Sequence, residues 1–374
     1  MNAKSILTSL FLLLGIAVFS QGGSGTTDSY FINKKITPAT PVKNQAMSGT
    51  CWCFSTTSLI ESQCLLKSGK ELDLSEIYSV RNIYVEKAHN YVLRQGHAQF
   101  DEGGLGHDEI RAVANYGAIP ESVYSGLLPG QKNINHLGMI KLLQKYLDSI
   151  IKTPPLAENW IEGFTKILDD NLGVPPAEFD YEGKHYTPKS FAKELLNINV
   201  GDYAYLTSFT HHPFNTSFIL EVPDNFSNKE YYNLPLNEMI NAVKEAIERG
   251  YPVLWDADVS NKGFIQSKGF ALNLDEKIKY DPEQLTPDME EAPFNMQIRQ
   301  QLFENLTTQD DHLMHITGIE KTKSGKTFFI VKNSWGLVGP YNGYINVSEA
   351  YFAINTISLV IPKAALNKGL VSKL

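Results

Sequence analysis

The sequence predicts an α+β protein in which helices dominate the first part of the chain and strands the last. Residues 51–67 contain neither proline nor glycine, and Gly69 stands where a helix would end. Towards the other end, residues 310–320 have the alternating pattern of a strand, and residues 328–331 form a short apolar run typical of a buried strand. These patterns indicate a helical part followed by a β-rich part.

Length and composition indicate a globular protein of two or three packed units. The chain has 374 residues, of which 43% are hydrophobic and 20% are charged. Its formal net charge is −8 and its pI is near 5.6, and no cluster of lysine and arginine stands out. A surface that binds nucleic-acid phosphates is therefore not expected.

The N-terminus has the pattern of a secretory signal peptide. Lys4 precedes a mostly apolar run at residues 6–18, and the small residue Ser20 follows. The run is shorter than the ~20 residues that a membrane-spanning helix needs. We expect cleavage after residues 1–20 and export of the mature protein, periplasmic or secreted, with no membrane attachment after cleavage.

The chain has three cysteines, Cys51, Cys53 and Cys64, and all lie in the predicted helix or at its start. On a helix, Cys53 and Cys64 would be about 16 Å apart, which exceeds the reach of a disulfide. Cys51 and Cys53 would point to nearly opposite sides. A zinc site needs about four convergent ligands, which this pattern does not supply. We expect no disulfide, no metal and no cofactor, with Cys53 and Cys64 as packing residues.

Cys51 differs from the other two because it lies in the first turn of the helix. Unpaired backbone N–H groups and the helix dipole favour an anion there, and they lower the pKa of a thiol. Ser48, Gly49 and Thr50 provide a turn and a polar cap before it. We therefore expect Cys51 to be a nucleophile.

The segment around Cys51 resembles the active site of papain-like cysteine peptidases. The matching residues are Gln45, six positions earlier, followed by Cys51, Trp52, Phe54 and Ser55. In that family the glutamine amide stabilises the oxyanion. Position 48 of this chain is a serine where papain has a cysteine, and this favours the bleomycin hydrolase/aminopeptidase C branch. The resemblance implies a two-lobed papain-like fold, with a helical lobe and a β-barrel-like lobe.

His312 and His315 are the candidates for the histidine that would act with Cys51. They are three positions apart, so on a strand they would face opposite ways. In papain-like enzymes the catalytic histidine lies six residues before a glycine that ends the strand, and Gly318 selects His312. The tract Asn333-Ser-Trp-Gly resembles the family's asparagine, which orients the histidine, and Trp335 would shield that hydrogen bond. A hairpin turn at Gly325 would bring the two strands together.

A pair of glycines, Gly103 and Gly104, resembles the family segment that pairs with an extended peptide substrate. Glycine suits this role because a side chain would block a second backbone. The resemblance also implies that Leu105, Leu313 and Trp335 contact the substrate.

The resemblance divides the chain into four parts. We expect a signal peptide at 1–20, a helical lobe at 21–126, a mainly helical insertion at 127–240 and a β-rich lobe at 241–374. The insertion is implied because the nucleophile and histidine segments lie about a hundred residues further apart than in ordinary papain-like enzymes. The adjacent pair His211-His212 lies in the insertion and suggests a metal, but adjacent strand side chains diverge, so we expect a structural role.

The expected function is hydrolysis of peptide bonds through a thioester on Cys51, with His312 ion-paired to the thiolate at rest. The branch implies an aminopeptidase acting on peptides and, by family analogy alone, a homo-oligomer. In that branch the C-terminal arm occupies the substrate cleft. The sequence of residues 363–374 is compatible with a position inside the cleft or outside it. The alternatives are an endopeptidase or transpeptidase with the same site, and a non-catalytic peptide-binding protein.

Overall fold

The computed structural model describes residues 30–275 and 277–374, so the expected signal peptide lies outside the described residues. This part of the chain contains ten α-helices and thirteen β-strands, and the predicted α+β class is confirmed. None of its helices is long and apolar enough to cross a membrane.

The α-helices follow each other along the whole chain. They are α1 (Cys51–Ser68), α2 (Glu76–Leu93), α3 (Gly106–Tyr116), α4 (Leu137–Ile151), α5 (Trp160–Leu172), α6 (Pro188–Phe191), α7 (Leu236–Glu248), α8 (Met296–Glu304), α9 (Glu349–Asn355) and α10 (Lys368–Val371).

The β-strands lie mostly in the last half of the chain. They are β1 (Phe31–Ile36), β2 (Phe179–Tyr181), β3 (Lys184–Tyr186), β4 (Tyr203–Thr207), β5 (Ser217–Ile219), β6 (Glu230–Asn233), β7 (Val253–Ala257), β8 (Phe264–Ile265), β9 (Phe270–Ala271), β10 (His312–Thr322), β11 (Thr327–Lys332), β12 (Tyr344–Ser348) and β13 (Thr356–Pro362).

Helix α1 lies inside the protein and connects its helical and β-rich parts. It begins at Cys51, and every residue from there to Cys64 is buried. It packs against α2 and α3 on one side and against β10 on the other, which explains why its sequence has no polar face. The helix ends as predicted at Gly69, which has a φ of 68° and donates its N–H to the carbonyl of Leu65 at 2.9 Å.

Strand β10 is the part of the main sheet that faces α1. The strand order in this sheet is β5-β6-β4-β13-β7-β10-β11-β12-β9-β8, and β1 pairs with β10 in addition. The predicted hairpin between β10 and β11 is present, with Gly325 at a φ of 95° in its turn. Gly318 lies within β10 rather than at its end. A Cβ there would approach the Lys35 carbonyl to 2.5 Å, so glycine lets β1 pair closely.

The segment 127–240 combines helices with strands. Its helices include α4 and α5, each with buried leucines on one face. Strands β4 to β6 then extend the main sheet beyond β13. These strands were not anticipated from the sequence.

The C-terminal residues pack on α7 rather than in the cleft between α1 and β10. Leu366 and Leu370 are buried in the apolar cluster that includes α7. Arg249 donates to the Leu366 carbonyl at 2.7 Å, and Lys373 contacts the Asn215 side chain at 3.3 Å. Residues 363–374 therefore lie outside the cleft.

Candidate active site

The Cys51 thiol lies where the first turn of α1 meets the first residues of β10. The Leu313 backbone N–H hydrogen-bonds the Cys51 sulfur, and Ser55 Oγ donates to the Leu313 carbonyl at 2.6 Å. These contacts attach α1 to β10 one residue after His312. Cys51 keeps 8% of its surface exposed, so it lies at the edge of the protein interior.

The His312 ring is oriented by Asn333. Its Nε2 and the Asn333 Oδ1 are 2.8 Å apart, and both residues are buried. Asn333 is held in turn, because its Nδ2 donates to Gln266 Oε1 at 3.1 Å and its Oδ1 accepts the Ser334 N–H at 2.7 Å. With Oδ1 as the acceptor, the proton of a neutral ring sits on Nε2, and Nδ1 is free to accept a proton.

Trp335 covers the contact between His312 and Asn333. The centroids of its ring and the His312 ring are 4.7 Å apart at an interplanar angle of 34°. An apolar cover keeps water from replacing a side-chain hydrogen bond. Trp335 is thus placed to provide the expected shielding. The residue is half-buried and does not line an open pocket.

His315 belongs to a different environment from His312. It faces α1, where its Nδ1 lies 2.9 Å from Ser58 Oγ, and it is fully buried. Burial, and to a lesser extent the charge of Lys332, lower the pKa of His315 well below its usual range. This ring is part of the contact between α1 and the sheet.

Gln45 is held beside the loop that carries Asn333. Ser334 Oγ donates to Gln45 Oε1 at 2.6 Å, and Gln45 Nε2 donates to the Ser48 carbonyl at 2.8 Å. One hydrogen of the Gln45 amide then remains for another acceptor. The backbone N–H of Cys51 is at the start of α1, where helix N–H groups lack intrahelical partners. Both donors suit an oxyanion next to the thiol.

Burial acts on the thiol and on the ring against the expected ion pair. Burial raises the pKa of Cys51 to about 12, and the charges of Asp224, Asp310 and Asp256 add to this, while the Leu313 N–H opposes it. Burial lowers the pKa of His312 to about 4, and the hydrogen bond to Asn333 opposes this less strongly. Burial therefore opposes the low thiol pKa expected from the helix terminus, and it favours a neutral thiol beside a neutral imidazole.

The glycine pair is covered in this structure. A Cβ on Gly104 would lie 3.0 Å from the Trp52 ring, so Gly104 is needed for packing against α1. A Cβ on Gly103 would lie 2.0 Å from Asp224 Oδ2, so the Asp224 carboxylate rests directly on this glycine. Leu105 and Leu313 are 0% and 2% exposed. They are core residues here and do not line an open pocket.

Three carboxyl groups near the thiol were missed from the sequence. Asp256 is fully buried on β7, directly opposite Leu313 on β10, and Asp310 lies two residues before β10 begins. Asp224 comes from the segment 127–240. The sequence did offer a signal for Asp256, because it is an acidic residue inside the otherwise apolar strand 253–257. The position of Asp224 had no such signal, because it depends on how distant segments pack.

The two other cysteines are buried and unpaired, as predicted. Cys53 is also part of a polar network, because its Sγ contacts Glu109 Oε2 at 3.1 Å and the Glu76 carbonyl at 3.3 Å. Cys64 is 4% exposed within the same apolar cluster as α1.

The expectation that His211 and His212 diverge is wrong. Their rings are 4.7 Å apart, and both Nε2 atoms approach the Glu221 carboxylate, at 3.2 and 2.7 Å. The His212 ring stacks on Phe218 and the His211 ring on Phe303. These contacts hold the loop before β5 against α8.

Comparisons with known proteins agree with this geometry. The sequence profile of the Peptidase C1-like family matches residues 101–374, and that of papain family cysteine proteases matches residues 28–81. Aminopeptidase C of Listeria innocua is 25% identical to this chain, over 88% of this chain and 82% of the relative. Aminopeptidase G of Lactobacillus delbrueckii subsp. lactis is 24% identical, over 88% and 83%. PepW from Lactobacillus rhamnosis has the same fold, with a TM-score of 0.69 at 20% identity, over 91% of this chain and 83% of that one.

Proposed function

The chain belongs to the Peptidase C1-like family, and on this basis we propose that it is a cysteine aminopeptidase whose nucleophile is the Cys51 thiol. The support is that thiol-based acyl transfer uses a thiol, an oriented imidazole and oxyanion donors, and that Asn333 orients His312 while Gln45 is held beside the start of α1. The relatives described above are named aminopeptidases, which supports the choice of the N-terminal bond.

The reaction follows from the positions of these groups. His312 Nδ1 takes the thiol proton as the Cys51 sulfur attacks the carbonyl carbon of the peptide bond. The Gln45 amide and the Cys51 N–H stabilise the negative oxygen, and one such donor typically contributes about 3–4 kcal/mol. The His312 imidazolium, stabilised by Asn333, gives its proton to the leaving amine as the carbon–nitrogen bond breaks.

The second half of the reaction regenerates the enzyme. A thioester between Cys51 and the N-terminal amino acid remains after the amine leaves. Water attacks its carbonyl while His312 Nδ1 takes one water proton, and the sulfur leaves with that proton. The free amino acid and the neutral thiol–imidazole pair result, which is the protonation state that burial favours.

The observation that carries the aminopeptidase proposal is the Asp224 carboxylate on Gly103. In papain-like enzymes an extended substrate pairs with this glycine and continues past it. Here the segment around Asp224 stands in that path, and it is fastened by Asn225, whose Nδ2 donates to the carbonyls of Leu220 and Lys229 at 2.9 Å each. A substrate then has to end near Gly103, which favours a free N-terminus there.

A comparison of free and blocked substrates tests this function. Aminoacyl 7-amido-4-methylcoumarin compounds with a free α-amine are offered beside the same compounds with an N-acetyl group, to the wild type and to Cys51→Ala. We expect hydrolysis of the free-amine compounds only and none by Cys51→Ala. Equal hydrolysis of acetylated peptides would instead identify an endopeptidase.

We also propose that the protein is exported and that residues 1–20 are removed. The support is the pattern of Lys4, the apolar run and Ser20. Expression of the full chain in a bacterium and N-terminal sequencing of the product test it. A mature chain that starts at Gln21 in an extracytoplasmic fraction is expected, and an intact N-terminus in the cytoplasm would contradict it.

A further inference from the structure

Asp224, Asp256 and Asp310 form a cluster of acidic side chains that the mechanism above does not use. All three raise the pKa of Cys51, so they lie close enough to the nucleophile for their charges to act on it. Directly opposite residues of neighbouring strands share a face of a sheet, so Asp256 shares the face of Leu313, whose N–H contacts the Cys51 sulfur. Asp256 therefore lies on the face of the sheet that meets the start of α1.

Two oxygens of the cluster have no donor in the described part of the chain. Asp256 Oδ2 accepts from Ser358 Oγ at 2.9 Å, but Asp256 Oδ1 and Asp310 Oδ2 are buried without a hydrogen-bond donor. The two carboxyl groups contact each other, which is favourable only when they share a proton. A shared proton still leaves one negative charge on the pair, and a buried charge without a cationic partner is costly, so the pair is expected to have a partner in the working enzyme.

The charges around the cluster show what kind of partner fits. The charged groups that act most strongly on Asp256 and Asp310 are other carboxylates, namely Asp224 and Asp311. Lys87 acts on Asp224, but its Nζ is already bound to the carbonyls of Asp101 and Gly103, at 2.6 and 2.5 Å. A second cation would therefore be attracted to this place. An anion would be repelled, and an apolar side chain would not be bound.

We propose that Asp256 and Asp310, with Asp224 above them, bind the N-terminal ammonium group of the peptide substrate. This proposal rests on the aminopeptidase function and specifies the subsite that enforces it. An ammonium group has three N–H donors, which matches three carboxylates. It would lie between the Asp256–Asp310 pair and the Asp224 segment that rests on Gly103, one residue away from the bond that Cys51 attacks.

Binding of the ammonium also has a consequence for the nucleophile. The charges of the three carboxyl groups oppose formation of the thiolate. A bound positive charge offsets them, and this favours transfer of the thiol proton to His312. A substrate with a free amine is then expected to react faster once bound, besides binding more tightly.

The site would bind an organic cation. Two groups of a peptide could supply it: the α-amine, or a basic side chain on the residue before the one whose carbonyl is attacked. The kinetic test therefore uses three substrates: an aminoacyl coumarin amide with a free amine, its N-acetyl form, and an N-acetyl-lysyl dipeptide coumarin amide. They are offered to the wild type, Asp256→Asn and Asp310→Asn. Asp311→Asn is the matched control, because it removes a charge next to Asp310 while its carboxylate contacts the Val259 N–H instead.

We expect Asp256→Asn and Asp310→Asn to lower kcat/KM for the free-amine substrate about 10- to 100-fold, as for loss of one charge-assisted hydrogen bond. Asp311→Asn should change it less than about threefold. If the two variants instead lower kcat/KM for the lysyl substrate and leave kcat/KM for the free-amine substrate unchanged, a basic side chain is the ligand and the proposal is overturned. Unchanged preference for the free amine in both variants overturns it as well, while the aminopeptidase function stands.

A binding measurement keeps the two proposals separate. In the Cys51→Ala background, the affinity for leucine amide and for N-acetyl-leucine amide is measured by calorimetry, with and without Asp310→Asn. Asp310 is only partly buried, so this variant is expected to fold, and a thermal melt checks this. Preference for the free amine that disappears in Asp310→Asn supports the subsite even if no turnover is seen. Equal affinity for both amides in the Cys51→Ala protein overturns the subsite.

Discussion

Replacement of Asn333 by alanine isolates the contribution of the orienting hydrogen bond to catalysis. In the wild type, Asn333 Oδ1 lies 2.8 Å from His312 Nε2 under the cover of Trp335. The alanine variant removes this acceptor and leaves His312 free to change its tautomer and its ring angle. Proton transfer from the thiol to Nδ1 then becomes less favourable.

The size of the effect follows from the burial of the pair. His312 is 4% exposed and Asn333 is 2% exposed, so water does not readily replace the lost acceptor. In the transition state the ring is an imidazolium, and a hydrogen bond to a charged group contributes about 1.5–3 kcal/mol. At 1.36 kcal/mol per factor of ten, we expect kcat to fall by about 10- to 150-fold.

The assay is steady-state hydrolysis of a free-amine aminoacyl coumarin amide, with a thermal melt of each variant. Asn346→Ala is the matched control, because Asn346 is another buried asparagine, on the neighbouring strand β12 and away from His312. It should lower the melting temperature and leave kcat close to that of the wild type. A folded Asn333→Ala enzyme with kcat within about threefold of the wild type would refute the reasoning, as would an equal loss in Asn346→Ala.

Three further expectations concern the same site. Gln45→Ala should lower kcat by about 10²–10³, because the side-chain oxyanion donor is lost, and an unchanged kcat would exclude that role. Cys53→Ala and Cys64→Ala should retain activity while Cys51→Ala has none, measured with the same substrate; equal losses in all three would contradict the assignment of the nucleophile. Because burial lowers the pKa of His312 to about 4, the ring stays neutral above that pH, and kcat/KM should fall only as the pH drops towards about 4. A midpoint of this acid limb at about 6.5 or higher would contradict it.

Local signals in the sequence were enough for the elements that carry the site. The long stretch without glycine or proline predicted α1, and Gly69 predicted its end. The spacing around Gly325 predicted the β10–β11 hairpin, and this hairpin brings His312 and Asn333 together. These features depend on residues close to one another along the chain, where backbone preferences act directly.

Features that depend on distant segments were missed. Strands β4 to β6 pair through β13, which lies more than a hundred residues later in the chain, so their short sequences do not reveal that they extend the main sheet. The convergence of His211 and His212 on Glu221 likewise depends on the fold of a loop rather than on strand geometry.

The Cys51 region separates the two kinds of information. The identity of the nucleophile, its glutamine six residues earlier and the start of the helix are local, and the residues themselves indicated them. The protonation state of the thiol is not local, because burial and the charges of Asp224, Asp256 and Asp310 raise its pKa against the effect of the helix terminus. Electrostatic energies depend on distance in space and on access of water. The distances and the access of water are fixed only when α1, β7, β10 and the segment carrying Asp224 pack together. The closed end of the cleft depends on the same packing.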